Sequence, residues 1–98
     1  MIERDIETRL REGVKHLGGL CLKFVTPGFT GVPDRIVIMP GGRIAFVELK
    51  RPGQRERQRQ AFAQACLRKL GCRVFSSVDG YDRVAEVLVW CEGGVNGL

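Results

Sequence analysis

Apolar residues recur along this chain in two rhythms. Ile2, Ile6, Leu10, Val14 and Leu17 fall three or four apart, the spacing of one helical face, and Gly18-Gly19 supplies a stop. The spacing predicts a first helix with Glu3 and Glu7 beside its apolar stripe. Residues 20–25 read as a strand, with Lys23 between Leu22 and Phe24. Residues 26–33 form a loop rich in breakers, long enough to contribute to a binding surface. Gly31-Val32-Pro33-Asp34-Arg35 then leads into the apolar run Ile36 to Met39. Pro40-Gly41-Gly42-Arg43 punctuates a turn, and residues 44–50 return as the second arm of a β-hairpin.

Both faces of that hairpin are apolar, which predicts strands in the middle of a sheet covered on both sides. Arg51-Pro52-Gly53 breaks the chain. A helix is expected to start around residues 54–57 and to run to Leu70, ended by Gly71, with Phe62, Ala63, Cys66, Leu67 and Leu70 as its apolar stripe. Residues 73–78 read as a further strand. Asp79 is placed to cap a last helix with Val84, Val87, Leu88 and Cys91 turned inward. The order is α-β-β-β-α-β-α, an α/β fold with a mixed central sheet flanked by helices, and the unit from the second hairpin arm to residues 73–78 reads as a right-handed parallel crossover. Residues 1–91 make one domain, and residues 92–98, with three glycines, are expected to fray as a flexible tail.

Composition narrows the function classes. Ninety-eight residues support a single core. The net charge of +5 favours a polyanionic partner. No apolar run approaches membrane-spanning length and no signal-peptide pattern precedes the first helix, so the expected location is the cytoplasm, without a membrane partner. Cys21, Cys66, Cys72 and Cys91 lack Cys-x-x-Cys spacing, and His16 is the one histidine. A zinc site is therefore not expected; the thiols read as core residues and His16 as a surface residue in the last helical turn.

The chemistry gathers at the open end of the hairpin. With a three-residue loop at 40–42, Met39 faces Arg43, and counting back sets Asp34 opposite Glu48. Period-two alternation then puts Asp34, Ile36, Ile38, Ile44, Phe46, Glu48 and Lys50 on one face. A turn one residue shorter would separate the two carboxylates onto opposite faces. Two carboxylates that close repel, and a divalent cation removes the conflict; Mg²⁺ is commonly held by one or two carboxylates. Lys50 points at the same space, where it can orient an attacking water or offset charge growing on a phosphate. The competing reading is a surface Glu–Lys pair beside an unrelated Asp.

A basic segment follows directly. Between residues 50 and 60, Lys50, Arg51, Arg55, Arg57 and Arg59 stand against Glu56 alone, a local net of +4. Such a run is often only a solvated face; here it adjoins the proposed ligands, where arginines can hold phosphates. No aromatic-interleaved pattern suggests base stacking. Gln60, by spacing alone, reads as a solvated glutamine.

Glu7, Lys23-Phe24, Gly31-Val32-Pro33-Asp34-Arg35, Phe46-Val47-Glu48-Leu49-Lys50 and Gln60 with Gly71 resemble the VRR-NUC domain, a branch of the PD-(D/E)XK nuclease superfamily. The likeness spans residues 2–90. It implies a restriction-endonuclease-like core and a Mg²⁺-dependent phosphodiesterase, with Mn²⁺ able to substitute, that cuts DNA to leave a 5′-phosphate and a 3′-hydroxyl. By the same resemblance Asp34 and Glu48 bind metal with the Leu49 backbone carbonyl, Glu7 reaches the site directly or through water, Lys50 acts on the nucleophilic water, and Gln60 joins the catalytic set. Lys23, Arg35, Arg51, Arg55, Arg57 and Arg59 are the candidate DNA contacts. Small members of this kind resemble Holliday-junction resolvases of bacteria and phages, acting as homodimers on branched DNA. The alternatives are a non-specific or nicking DNase and a catalytically silent DNA-binding adaptor.

Overall fold

The computed structural model describes residues 2–96. The elements are α1 (Glu3–His16), β1 (Leu20–Lys23), β2 (Arg35–Met39), β3 (Arg43–Leu49), α2 (Gln58–Lys69), β4 (Arg73–Val78) and α3 (Tyr81–Asn96). The strands form one sheet in the order β1-β2-β3-β4. β1–β2 and β2–β3 are antiparallel and β3–β4 is parallel, the mixed α/β sheet that the element order predicts.

The hairpin register follows from its turn. Met39 pairs with Arg43 and Arg35 with Val47, so the next positions outward are Asp34 and Glu48. Gly41 and Gly42 both take positive φ, 88° and 78°, a conformation open to glycine without steric cost.

One face of the sheet carries the core. Ile6, Leu10 and Val14 of α1 and Val84, Val87 and Cys91 of α3 pack on Val37, Met39, Ala45, Val47, Leu49, Phe75 and Val78. The sequence pattern predicts cover on both faces, and the second face differs. There α2 reaches mainly β4, and Leu20, Leu22 and Ile44 are 56%, 44% and 45% exposed. The α2 stripe differs too. Phe62 and Leu70 are 65% and 81% exposed, whereas Ala63 and Gln64 are each 1% exposed. Hydrophobic spacing records which residues are apolar, and α2 turns a neighbouring stripe toward the sheet.

Three boundaries shift. Residues 54–57 are not helical, so α2 starts at Gln58. Val84 N–H bonds to the Gly80 carbonyl at 3.1 Å, which makes Gly80, not Asp79, the residue that opens α3. Helix α3 continues through residues expected to fray, as far as Asn96; 97–98 lie outside the described residues. Among the described residues no helix is long and apolar enough to cross a membrane.

Candidate active site

The site lies where β2 begins and β3 ends. The first turn of α1 reaches this end from the core side, and the first turn of α2 from the other.

Glu48 and Lys50 are 1% and 4% exposed, unusually low for ionisable groups. Lys50 Nζ donates to Glu48 Oε2 at 3.0 Å and to Gln60 Oε1 at 2.6 Å. Gln60 Nε2 donates to the same Glu48 oxygen at 2.8 Å. Gln60 Oε1 also accepts the Arg57 N–H at 2.9 Å, half of a capping box that satisfies a free donor at the start of α2. One amide therefore ties the helix start to both charged groups, and Gln60 is far from the solvated residue its spacing suggests. The close approach of loop and helix depends on Gly31: a Cβ there would meet the Arg59 carbonyl carbon at 2.7 Å.

Glu48 is left half-satisfied. Its Oε1 is buried without a hydrogen-bond partner. Burial, with the Asp34 charge adding to it, pushes the Glu48 carboxyl up to about 7 despite the Lys50 ammonium. Asp34 is raised as well, chiefly by burial, while its bond from the Leu49 N–H opposes the shift; that bond is 2.8 Å to Oδ2. The Asp34 charge thus disfavours the charged form of Glu48. A β-bulge lies beside them. Val47 pairs with Phe75 but Leu49 with Val78, so β4 carries one extra residue opposite Glu48, and Ser77 takes φ 50°. Bulges of this kind re-aim side chains next to active sites. Nothing in the sequence pattern of residues 73–78 signals it.

Asp34 and Leu49 line a cleft of about 260 Å³ with Glu3, Glu7, Lys23 and Arg35. Glu7 is held in an ion pair, its Oε2 2.8 Å from Arg35 Nη2. The Arg35 side chain is 11% exposed and also donates to the Cys21 carbonyl at 3.4 Å. It is spent inside the fold, positioning Glu7, whereas Lys23, Arg51, Arg55, Arg57 and Arg59 are exposed. Glu3, which the sequence pattern sets beside the apolar stripe without a role in the chemistry, joins the cleft one turn before Glu7.

The residues fit a hard cation. Among the described residues no group of three or more His, Cys, Asp or Glu side chains is arranged to hold a metal ion. An unpartnered buried carboxylate oxygen beside a second carboxylate suits Mg²⁺ or Mn²⁺, which take oxygen donors and keep waters in their coordination shell.

Comparison with known proteins bears on the family and the fold. No protein-family model matches the chain. A protein of Acyrthosiphon pisum secondary endosymbiont phage 1, named "Putative nuclease p44", is 46% identical over 72 residues, covering 74% of this chain and 77% of its own length. A solved structure described as "VRR_NUC domain" superposes with a TM-score of 0.79 at 31% identity, covering 88% of this chain and 92% of that one. The chain belongs to the VRR-NUC family of nuclease domains.

Proposed function

We propose that this protein is a Mg²⁺-dependent, structure-selective DNA endonuclease, active with Mn²⁺ as well, that cuts branched DNA such as Holliday junctions as a homodimer. One observation carries the reading: Glu48, whose carboxyl burial and the Asp34 charge push up, stands beside an almost fully buried ammonium, with its Oε1 lacking a partner. A surface Glu–Lys pair would be solvated on both sides; this one is not.

Asp34 and Glu48 are the residues that would hold the cation, and the carbonyl of Leu49, which lines a cleft with Asp34, would be a further ligand. The ion, when bound, supplies Lewis-acid polarisation of the phosphate and lowers the pKa of a water at the site. Lys50 Nζ, fixed by Glu48 and Gln60, orients the attacking water and stabilises negative charge on the phosphate. The water oxygen bonds to phosphorus as the bond to the 3′ oxygen breaks. A proton ends on that oxygen, giving a 3′-hydroxyl and a 5′-phosphate. Gln60 sets the position of Lys50, and Glu7 reaches the cleft through its pairing with Arg35. The exposed cations Lys23, Arg51, Arg55, Arg57 and Arg59 face the DNA backbone, so affinity falls with salt as counterions are released. The expected setting is the cytoplasm of a bacterial host, in line with the phage origin of the relative.

The test is cleavage of four-way junctions, flaps and plain duplex with Mg²⁺, comparing wild type with Asp34→Ala, Glu48→Ala and Lys50→Ala. Junction cutting by wild type alone supports the reading. Equal rates on linear duplex and junction would replace structure selectivity with general DNase action. Salt-sensitive binding without cutting on any substrate would replace the enzyme with an adaptor.

A further inference from the structure

The five phenylalanines divide by exposure. Phe24, Phe46 and Phe75 are partly or fully buried, whereas Phe29 and Phe62 are 44% and 65% exposed. The two exposed ones meet each other. Phe29 belongs to the β1–β2 loop and Phe62 to α2, and their ring centroids stand 6.3 Å apart with the planes tilted by 50°. Loop and helix are fixed at this point. Thr26 Oγ1 donates to the Phe29 carbonyl at 2.6 Å, and Gly31 lies so close to the Arg59 carbonyl that a Cβ would not fit between them. Each segment leads from its ring into the active site. Phe62 follows Gln60 by two residues, about 3 Å along the helix axis. Phe29 precedes Asp34 by five, at most roughly 18 Å of chain. Phenylalanine ordinarily goes inside, so two rings left together in water beside a catalytic site make a candidate contact surface.

We infer that Phe29 and Phe62 form a stacking platform for an unpaired nucleobase of the DNA substrate, close to the bond that is cut. Charge selects the occupant. Arg59 lies one turn before Phe62 on the α2 surface, and Arg51, Arg55 and Arg57 lead into that helix, all of them exposed, with Glu56 as the one acid of the segment. A neutral apolar partner would cover the rings and leave these guanidinium groups without counter-charges. A nucleic-acid strand brings phosphates to the arginines and a flat ring to the phenylalanines, the combination by which single strands are held without sequence preference. Geometry selects the form of the DNA. Inside a duplex both faces of a base are taken by its neighbours, so a platform engages only a base that has left the stack, at a flap, a branch point or an end. The pair thus favours branched over plain duplex DNA with no contact to a base edge. The inference rests on the nuclease reading and adds to it the element that recognises the substrate. The two rings lie far apart in the chain, and only the fold joins them.

The experiment adds protein, in EDTA and at saturating concentration, to flap DNA with 2-aminopurine at the unpaired position beside the branch. Plain duplex carrying the same base paired is the control. Stacking quenches this probe, so wild type is expected to quench it in the flap and to leave the duplex signal unchanged. Phe29→Leu and Phe62→Leu keep an apolar side chain between loop and helix but offer no π face. Each is expected to lose most of the quenching and to bind the flap about tenfold more weakly, the scale of one base–aromatic contact. Their duplex affinity and far-UV circular dichroism should match wild type, and Phe62→Trp should quench as wild type does. Full quenching by both leucine variants, or an equal loss of affinity for flap and duplex, would reduce the pair to a clasp between loop and helix and overturn the inference. A changed solution mass in the leucine variants would assign the rings to contact with another chain, with the same result. Because quenching is read without metal, a protein that cuts flaps but never quenches the probe sinks the platform alone. One that quenches it but cuts nothing with Mg²⁺ sinks the nuclease reading alone.

Discussion

The two ends of the β2–β3 hairpin hold charge in opposite ways, Arg43 half-buried at one and Glu48 and Lys50 fully buried at the other. At the turn end, Arg43 donates to the Trp90 and Cys91 carbonyls at 2.7 and 3.2 Å and stacks on the Trp90 ring. Each contact ties β3 to α3. At the open end, Glu48 is 1% exposed, yet one of its oxygens has no partner and its carboxyl rises to about 7. Burial of a charged group costs several kcal/mol unless it is paired (an order of magnitude). The turn end meets that cost with bonds; the open end leaves part of it standing. Such residual conflict is what the proposed cation would relieve.

Breaking the open end should affect activity most. Asp34→Ala or Glu48→Ala is expected to lower junction cleavage by at least about 10²–10³-fold, the scale of losing one essential electrostatic group. Steady-state cleavage at saturating Mg²⁺ checks this, with circular dichroism to confirm the fold. Gln60→Ala should come next. It frees Lys50 and uncaps α2, with a loss of roughly 10–100-fold in cleavage, as for residues that orient ligands, and about 1 kcal/mol in stability. Arg43→Ala is the opposite case: about 1–3 kcal/mol of stability by chemical denaturation, with cleavage per folded molecule unchanged. A large activity loss there would erase the contrast between the two ends.

The smallest effect is in the pH dependence of stability. Glu48 has a folded pKa raised above its unfolded value, so it binds more protons in the folded state than in the unfolded one between about 4.5 and about 7. Metal-free stability should therefore fall as pH rises through that window. Glu48→Gln should flatten the slope, as measured by urea midpoints at pH 5 and pH 8. Metal affinity should run the other way, strengthening as Glu48 loses its proton.

Much of the open end was legible in the sequence because it depends on counting. A three-residue turn at 40–42 fixes Met39 against Arg43 and Arg35 against Val47, which leaves Asp34 and Glu48 as the next positions outward. The α1 stripe was legible for a similar reason, since Ile6, Leu10 and Val14 meet a core directly beneath them. What spacing does not encode is which neighbour a side chain finds. Gln60 bridges Lys50 and Glu48 because α2 happens to start beside β3. Its inclusion came from family likeness, not from periodicity. Arg35 reads as a surface cation but is taken up by Glu7. On α2 the apolar stripe at Phe62 and Leu70 stays open while Gln64 is buried, because that stripe borders an uncovered sheet face instead of a core. The bulge at Ser76–Ser77 left no pattern at all, being a defect in pairing and not in hydrophobicity.

The account stands most directly on divalent-ion binding by the carboxylate pair. Calorimetric titration of Mn²⁺ into DNA-free wild type near pH 8 should give saturable uptake. Glu48→Gln and Asp34→Ala should each lose most of that heat while Arg43→Ala keeps it. Undiminished Mn²⁺ binding by both carboxylate variants would contradict the account.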